Sequence, residues 1–262
     1  MSQQEQDAVC KASGKAVAAS PATAARPTIL LDGLSEVGAA LLKAPHVVEG
    51  VIFDCDGTLL DSLGAWRELE NAVCRASGGA CRVTDADRQV MIACTVPETA
   101  RYLHERMGFL GSNQEAEDFM DRFLIEHYSS QATLYPGASE LVELLSRAEV
   151  PLAVASSSRP AYLEAGLQGA GIRGFFQHVV SVDDMGMSKR DPSFYQAVGE
   201  MLGTPRLGTW VFEDALYAAR TAMEAGFPTV GLVEGENRGQ ASEFECAVTL
   251  PVGHVKDLLA HA

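Results

Sequence analysis

The 262 residues predict an α/β protein with a parallel sheet and an inserted helical segment, and three observations carry that prediction. Short apolar runs rich in β-branched residues at 47–53, 151–155, 178–182, 209–212 and 229–233 alternate with helical patterns. All but the first of these runs follow a helical pattern closed by a Gly or Pro break, which is the rhythm of βα units. One long stretch, 64–133, breaks the rhythm and has no convincing buried strand.

Taken in order, residues 1–27 have no Leu, Ile or aromatic side chain with which to offset ordering entropy, so a mobile tail is expected. Leu30, Leu34, Val37 and Leu41 then recur at helical spacing, predicting an amphipathic helix over 28–44 that packs on the core and ends at Pro45. Residues 1–45 thus form an N-terminal extension. The sheet core spans 46–63 and 134–262, and the helical insertion spans 64–133, with helices at 65–75, 85–93, 97–107 and 114–128. Tyr135-Pro136-Gly137 turns the chain back into the βα pattern. Residues 247–251 make a last edge strand, followed by a short helix.

Apolar residues are 47% of the chain and charged residues 21%, the balance of a globular protein. No apolar run approaches the ~20 residues of a membrane span. With 35 acids against 20 bases the net charge is −15, which repels phosphate backbones and anionic lipids and argues against nucleic-acid or membrane partners. An anionic ligand must therefore be met by a local cation. Cys10, Cys55, Cys74, Cys81, Cys94 and Cys246 form no CxxC pair, and the N-terminus has no apolar signal-like stretch; a cytoplasmic location with reduced thiols is expected. Oligomeric state is not encoded in these features, which are compatible with a monomer.

Parallel sheets place ligands at the carboxyl ends of their strands. The first strand runs into Asp54-Cys55-Asp56-Gly57-Thr58, and since residues i and i+2 of a strand share a face, both carboxylates can serve one site while Cys55 fills space beneath it. Gly57 permits a sharp turn, and Thr58 offers a hydroxyl and an N–H. The string continues to Asp61-Ser62 and matches the DxDGT and LxDS pattern that opens the haloacid dehalogenase (HAD) superfamily. The resemblance runs from about 47 to 232 and is nearest the β-phosphoglucomutase-like phosphatases. It implies a Rossmann-like core with a helical cap at 64–133, Asp54 as nucleophile and Asp56 as general acid and base.

The same resemblance places phosphate-binding groups at Ser156 and Ser157 and at Lys189. Ser156 and Ser157 follow the strand 151–155, where a helix N-terminus also offers free N–H groups. Lys189 lies in Ser188-Lys189-Arg190-Asp191-Pro192, a weaker match to the family string, yet it is the only lysine between Lys43 and Lys256. Trp210-Val211-Phe212-Glu213-Asp214 supplies the acidic pair of the last motif. Mg²⁺ is the implied cofactor, held by Asp54, the Asp56 main-chain carbonyl and Asp214, with Glu213 in an outer shell; oxygen-only ligands suit this ion. Asp183 and Asp184 also follow a strand and suit an outer-shell acid as well as an exposed cap or loop, and both are left outside the site. Residues 169–174 spell GxGxxG, but a helical pattern precedes them where a dinucleotide fingerprint needs a strand.

The resemblance implies a Mg²⁺-dependent phosphatase acting on small-molecule phosphate monoesters, a sugar phosphate or related metabolite, through an aspartyl phosphate. A phosphosugar mutase is the alternative within the family, and the Ala215, Ala218 and Arg190 departures motivate a catalytically inactive binding or regulatory module as a third. Family dehalogenases replace the second Asp with an aromatic residue, and phosphonatases use a cap lysine that 64–133 lacks. The mutases carry a His where this chain has Trp66.

Overall fold

A computed structural model describes residues 30, 32–43, 45–91, 94–233 and 235–260. Six strands form one parallel sheet: β1 (Gly50–Phe53), β4 (Leu152–Ser156), β5 (His178–Ser181), β6 (Thr209–Glu213), β7 (Thr229–Leu232) and β8 (Leu250–Val252), in the order β5-β4-β1-β6-β7-β8. The α/β parallel-sheet class read from the sequence is the class observed.

Side-chain alternation sorts the strands onto two cores. Val51, Phe53, Leu152, Val154, Trp210 and Phe212 face one side, while Ile52, Ala153, Ala155, Val180 and Val211 face the other. Helices α5 (Ala138–Arg147) and α6 (Pro160–Gly169) cover the first side with Leu141, Leu145, Leu163 and Leu167. Helix α8 (Pro192–Leu202) covers the second with Phe194, Tyr195 and Val198. The single turn α7 (Val182–Met185) leads from β5 towards α8. Helix α9 (Leu216–Glu224) and α10 (Ala241–Ala247) meet through Leu216, Ala219 and Phe244.

A two-stranded antiparallel pair, β2 (Leu60–Asp61) with β3 (Thr133–Leu134), brackets the helical stretch, so its entry and exit lie side by side. Between them run α1 (Leu63–Ala76), α2 (Asp85–Met91), α3 (Val96–Met107) and α4 (Asn113–Ser130). Helix α3 has a full capping box, Thr95 with Glu98, and ends on left-handed Gly108. Helix α4 lies on α6 at close range because α6 carries glycines at the crossing. A Cβ on Gly169 would fall 2.3 Å from the Ser129 carbonyl oxygen, and one on Gly166 would fall 2.6 Å from Leu60 and 3.0 Å from the Tyr128 ring.

Two element assignments are corrected. The amphipathic helix expected over 28–44 is not continuous: residues 30, 32 and 33 are helical, Leu34 then bridges to Leu259, the Ala260 N–H donates to the Gly33 carbonyl at 3.0 Å, and a 3₁₀ turn, Gly38–Leu42, follows. Leu30, Leu34 and Leu41 are nonetheless buried, whereas Val37 is exposed. The expected edge strand 247–251 shifts to Leu250–Val252, since residue 247 still closes α10. Residues 1–27, including the expected tail and Cys10, lie outside the described residues.

A Gly169→Ala variant forces a side chain into a main-chain oxygen of α4. It is expected to destabilise the fold by about 1–3 kcal/mol. Chemical denaturation measures this, and an unchanged midpoint would show that α4 is not held against α6.

Candidate active site

Strand β1 sits between β4 and β6, where the chain's windings diverge: from β4 outward to β5, and from β6 outward to β7 and β8. Such a switch point opens a crevice beyond the strand ends. Phe53 pairs with Val154 and with Phe212, so Asp54, Ser156 and the Glu213–Asp214 pair end three neighbouring strands. The ladder extends one step further, the Asp54 N–H donating to the Phe212 carbonyl at 2.9 Å.

Lys189 enters this crevice from the loop between α7 and α8 and is buried. Its ammonium donates to Asp54 Oδ1, and at 2.8 Å to Glu213 Oε2. Tyr195 donates to the same Glu213 oxygen at 2.9 Å, while the Ala215 N–H donates to Oε1 at 3.2 Å. Both oxygens of Glu213 are thereby committed to fixing Lys189 and the start of α9. Asp214 is held through its main chain, its carbonyl accepting from Asn237 at 2.7 Å. Gly57, at φ 92°, passes so close that a Cβ would lie 2.1 Å from Asp214 Oδ2, which ties the turn after Asp56 to the far acid.

Carboxylate oxygens of Asp54, Glu213 and Asp214 lie within 4.8 Å of one another. Two buried acids, Asp54 and Glu213, and the partly buried Asp214 face one ammonium, and the excess negative charge shows in the titration of Asp54 and Asp214. Burial, then Glu213, pushes Asp214 up to about 7 against the pull of Lys189. Burial and Glu213 likewise raise Asp54. Burial opposes the Lys189 charge, but Asp54 and Glu213 outweigh it and hold the ammonium above its ordinary range. A divalent cation taken up by Asp54 and Asp214 would relieve this conflict, and the all-oxygen donor set fits one.

Asp56 faces a different set of partners. Its Oδ1 accepts from Ser62 and, at 2.6 Å, from Tyr128, and its Oδ2 accepts from Ser158. Ser156 is buried, and its hydroxyl accepts the Ser158 N–H at 3.0 Å, shaping the loop that opens α6. Ser157 is exposed and, with Ser158, lines a cavity of about 390 Å³ whose other walls include Trp66, Leu69, Thr99 and Leu103 from the inserted helices. Of the residues singled out in the sequence, Asp54, Lys189, Glu213 and Asp214 meet directly, and Ser156 and Asp56 meet through Ser158. The Thr58 hydroxyl, expected to be available at the site, is fully buried and has no partner among the described residues. Asp183 and Asp184 are exposed on α7, and residues 169–174 are a helix stop, with Gly171 left-handed. Cys55 is buried, which raises its thiol pKa and leaves it inert.

Tyr128, Tyr195 and Asn237 were not among the sequence candidates, because nothing in their local pattern separates them from core or loop residues. Ser158 had a signal, its place in the Ser156-Ser157-Ser158 run, but the run does not say which hydroxyl reaches an acid.

The sequence profile of the haloacid dehalogenase-like hydrolases matches residues 51–232. The chain belongs to this family. It is 28% identical to a phosphorylated carbohydrates phosphatase of Thermotoga maritima over 78% of this chain and 94% of that protein. It is also 28% identical to a phosphoglycolate phosphatase of Rhodobacter capsulatus over 71% of this chain and 84% of that one. In fold it is similar to a mutant of CbbY from Rhodobacter sphaeroides in complex with xylulose-(1,5)bisphosphate, with a TM-score of 0.65, 21% identity, and coverage of 80% of this chain and 95% of that one. This haloacid dehalogenase-like hydrolase departs from the family pattern at Ala215 and Ala218, where the structure shows the Ala215 N–H on Glu213 and Ala218 fully buried within α9.

Two measurements test the charge balance. Because Asp214 is raised from 3.8 to about 7 in the fold and Asp54 is raised as well, the folded chain binds more protons than the unfolded one across the Asp214 window. In a chelating buffer the thermal midpoint should therefore fall from pH 5.5 to pH 8, by on the order of 5 °C. A divalent cation should cancel the slope, and a midpoint that rises with pH in chelator would contradict the assignment. Lys189→Met leaves two buried carboxylates unpaired and should lower stability by about 3 kcal/mol in urea unfolding; a neutral result would mean the ammonium is not what balances them.

Proposed function

We propose that the protein is a Mg²⁺-dependent phosphatase that hydrolyses small phosphate monoesters, a sugar phosphate or related metabolite, by way of a phosphoryl group carried on Asp54. The observation behind this reading is the buried Lys189 ammonium on Asp54 at the sheet's switch point, with Asp214 beside it and Asp56 two residues further along the same loop. The phosphatase names of its relatives support it.

In the first step an Asp54 oxygen attacks phosphorus in line with the ester oxygen. Lys189 is already beside Asp54, where it can neutralise a phosphoryl oxygen. The Ser156 hydroxyl accepts the Ser158 N–H and so keeps its own hydrogen to donate, and Ser157 and the amides opening α6 lie on the same loop. Asp56 protonates the departing alcohol, then takes a proton from the water that cleaves the aspartyl phosphate. Mg²⁺, held by Asp54, the Asp56 carbonyl and Asp214, would keep Asp54 ionised and offset phosphate charge. Glu213 positions Lys189 from the outer shell.

In the domain reading that goes with this mechanism, 46–63 and 134–262 are the catalytic core, 64–133 is a cap that excludes water and selects the alcohol, and 1–45 is an extension. Trp66 in the cavity wall stands where a mutase would carry its His, which favours hydrolysis over phosphoryl relocation. Among the described residues no helix is long and apolar enough to cross a membrane, and the proposed setting is the cytoplasm.

Phosphate release from a panel of phosphorylated metabolites with Mg²⁺ tests the proposal, and Asp54→Asn should reduce it to below a few per cent of wild type. Glucose 1-phosphate should yield inorganic phosphate. Glucose 6-phosphate would identify a mutase, and silence with every substrate and metal would identify a binding module.

A further inference from the structure

We infer that Tyr128, on the inserted helix α4, is a positioning residue for the general acid, fixing Asp56 Oδ1 so that the transferable proton resides on Oδ2. This deepens the phosphatase reading and rests on it. A carboxyl oxygen has two lone pairs for hydrogen bonding, and Oδ1 spends both, on Tyr128 at 2.6 Å and on Ser62. Among the described residues Oδ2 accepts only from Ser158, which also lines the 390 Å³ cavity with residues of α1–α3. Ser62 stands at the N-cap of α1, where a serine hydroxyl ordinarily bonds the helix's own N–H groups, yet it makes no capping bond and turns to Asp56 instead.

The phenol reaches Asp56 from 72 residues away in sequence and is almost wholly buried. Its ring has room because position 166 of α6 lacks a Cβ. Helix α4 is clamped about two to three turns before Tyr128 by Arg159, which donates to Asp121 at 2.8 Å and to Glu117 at 2.5 Å, and by the Tyr162 hydroxyl on Asp121. Arg159 directly follows Ser158, so the same joint fixes the donors on both carboxyl oxygens. The acid is therefore correctly aimed only while α4 is seated on α6.

In phosphoryl transfer the proton leaves Asp56 Oδ2 for the ester oxygen as that oxygen takes the electron pair of the breaking P–O bond. In hydrolysis Oδ2 takes a proton from water as the water oxygen bonds phosphorus and the bond from phosphorus to Asp54 breaks. Without the Tyr128 tether the carboxyl can rotate away from both protons.

The test compares wild type and Tyr128→Phe on two substrates, reading kcat/KM, which reports the step that forms the aspartyl phosphate. One is p-nitrophenyl phosphate, whose leaving group departs without a proton; the other is the alkyl phosphate the wild type turns over fastest. A loss of at least about tenfold on the alkyl phosphate, with p-nitrophenyl phosphate changed less than about threefold, is the expected result. The aryl substrate also reports whether the variant is folded. Equal losses on both substrates, or no loss on the alkyl phosphate, would overturn the inference. A wild type that turns over neither substrate would instead remove the phosphatase reading beneath it.

Discussion

One buried ammonium between two buried carboxylates, with a third, partly buried one beside them, is the constraint around which this structure is arranged. Lys189 touches Asp54 and Glu213, and Asp214 lies within reach of the same oxygens. Charges removed from water this completely are unfavourable unless each is paired and hydrogen-bonded. The parallel sheet makes the arrangement possible by ending β1 and β6 side by side. Tyr195 and the Ala215 N–H then saturate Glu213, so that its charge is spent on holding Lys189. The acids left over, Asp54 and Asp214, are the ones displaced towards neutral pH, and they are the pair that a cation would complete.

A second constraint joins the helical insertion to the chemistry. In many folds an insertion leaves the core through a flexible stalk, but here α4 lies flat on α6, with Gly166 and Gly169 clearing the crossing and Arg159 bridging to two acids. Tyr128 follows from that contact and reaches Asp56. The cavity walled by Trp66, Leu69, Thr99 and Leu103 therefore opens beside an acid that is itself held from the insertion side. The cavity wall and the hold on the Asp56 carboxyl share one packed joint.

The described part of the N-terminal extension is bound to the 3₁₀ turn Val255–Leu258. Gly38 lies so near the Leu258 carbonyl that a Cβ would approach to 2.1 Å, and the Ser35 hydroxyl donates to the Asp257 carbonyl at 2.6 Å. This docking explains why the helix read over 28–44 does not form as one piece. The spacing of Leu30, Leu34 and Leu41 correctly marks them for burial, but burial can be met by a bridge and a 3₁₀ turn as well as by an α-helix. Periodicity records which side chains are covered and leaves the backbone route to its neighbours.

What the sequence determined by itself was whatever local order encodes: the strand alternation that makes a parallel sheet, the turn at Gly57, the acids placed at or just past strand ends, and a lysine with no rival over a long stretch of chain. Asp54, Lys189, Glu213 and Asp214 were legible because each sits beside an apolar run or is, like Lys189, without a rival over a long stretch. Tyr128, Tyr195 and the choice of Ser158 over its serine neighbours were decided only by the tertiary structure. Each of these depends on a contact between elements distant in the chain, α4 with the end of β1, α8 with the end of β6, and the β4 loop with Asp56. A hydroxyl on a helix is chemically the same whether it meets solvent or a carboxylate, so its role exists only once packing has chosen its partner.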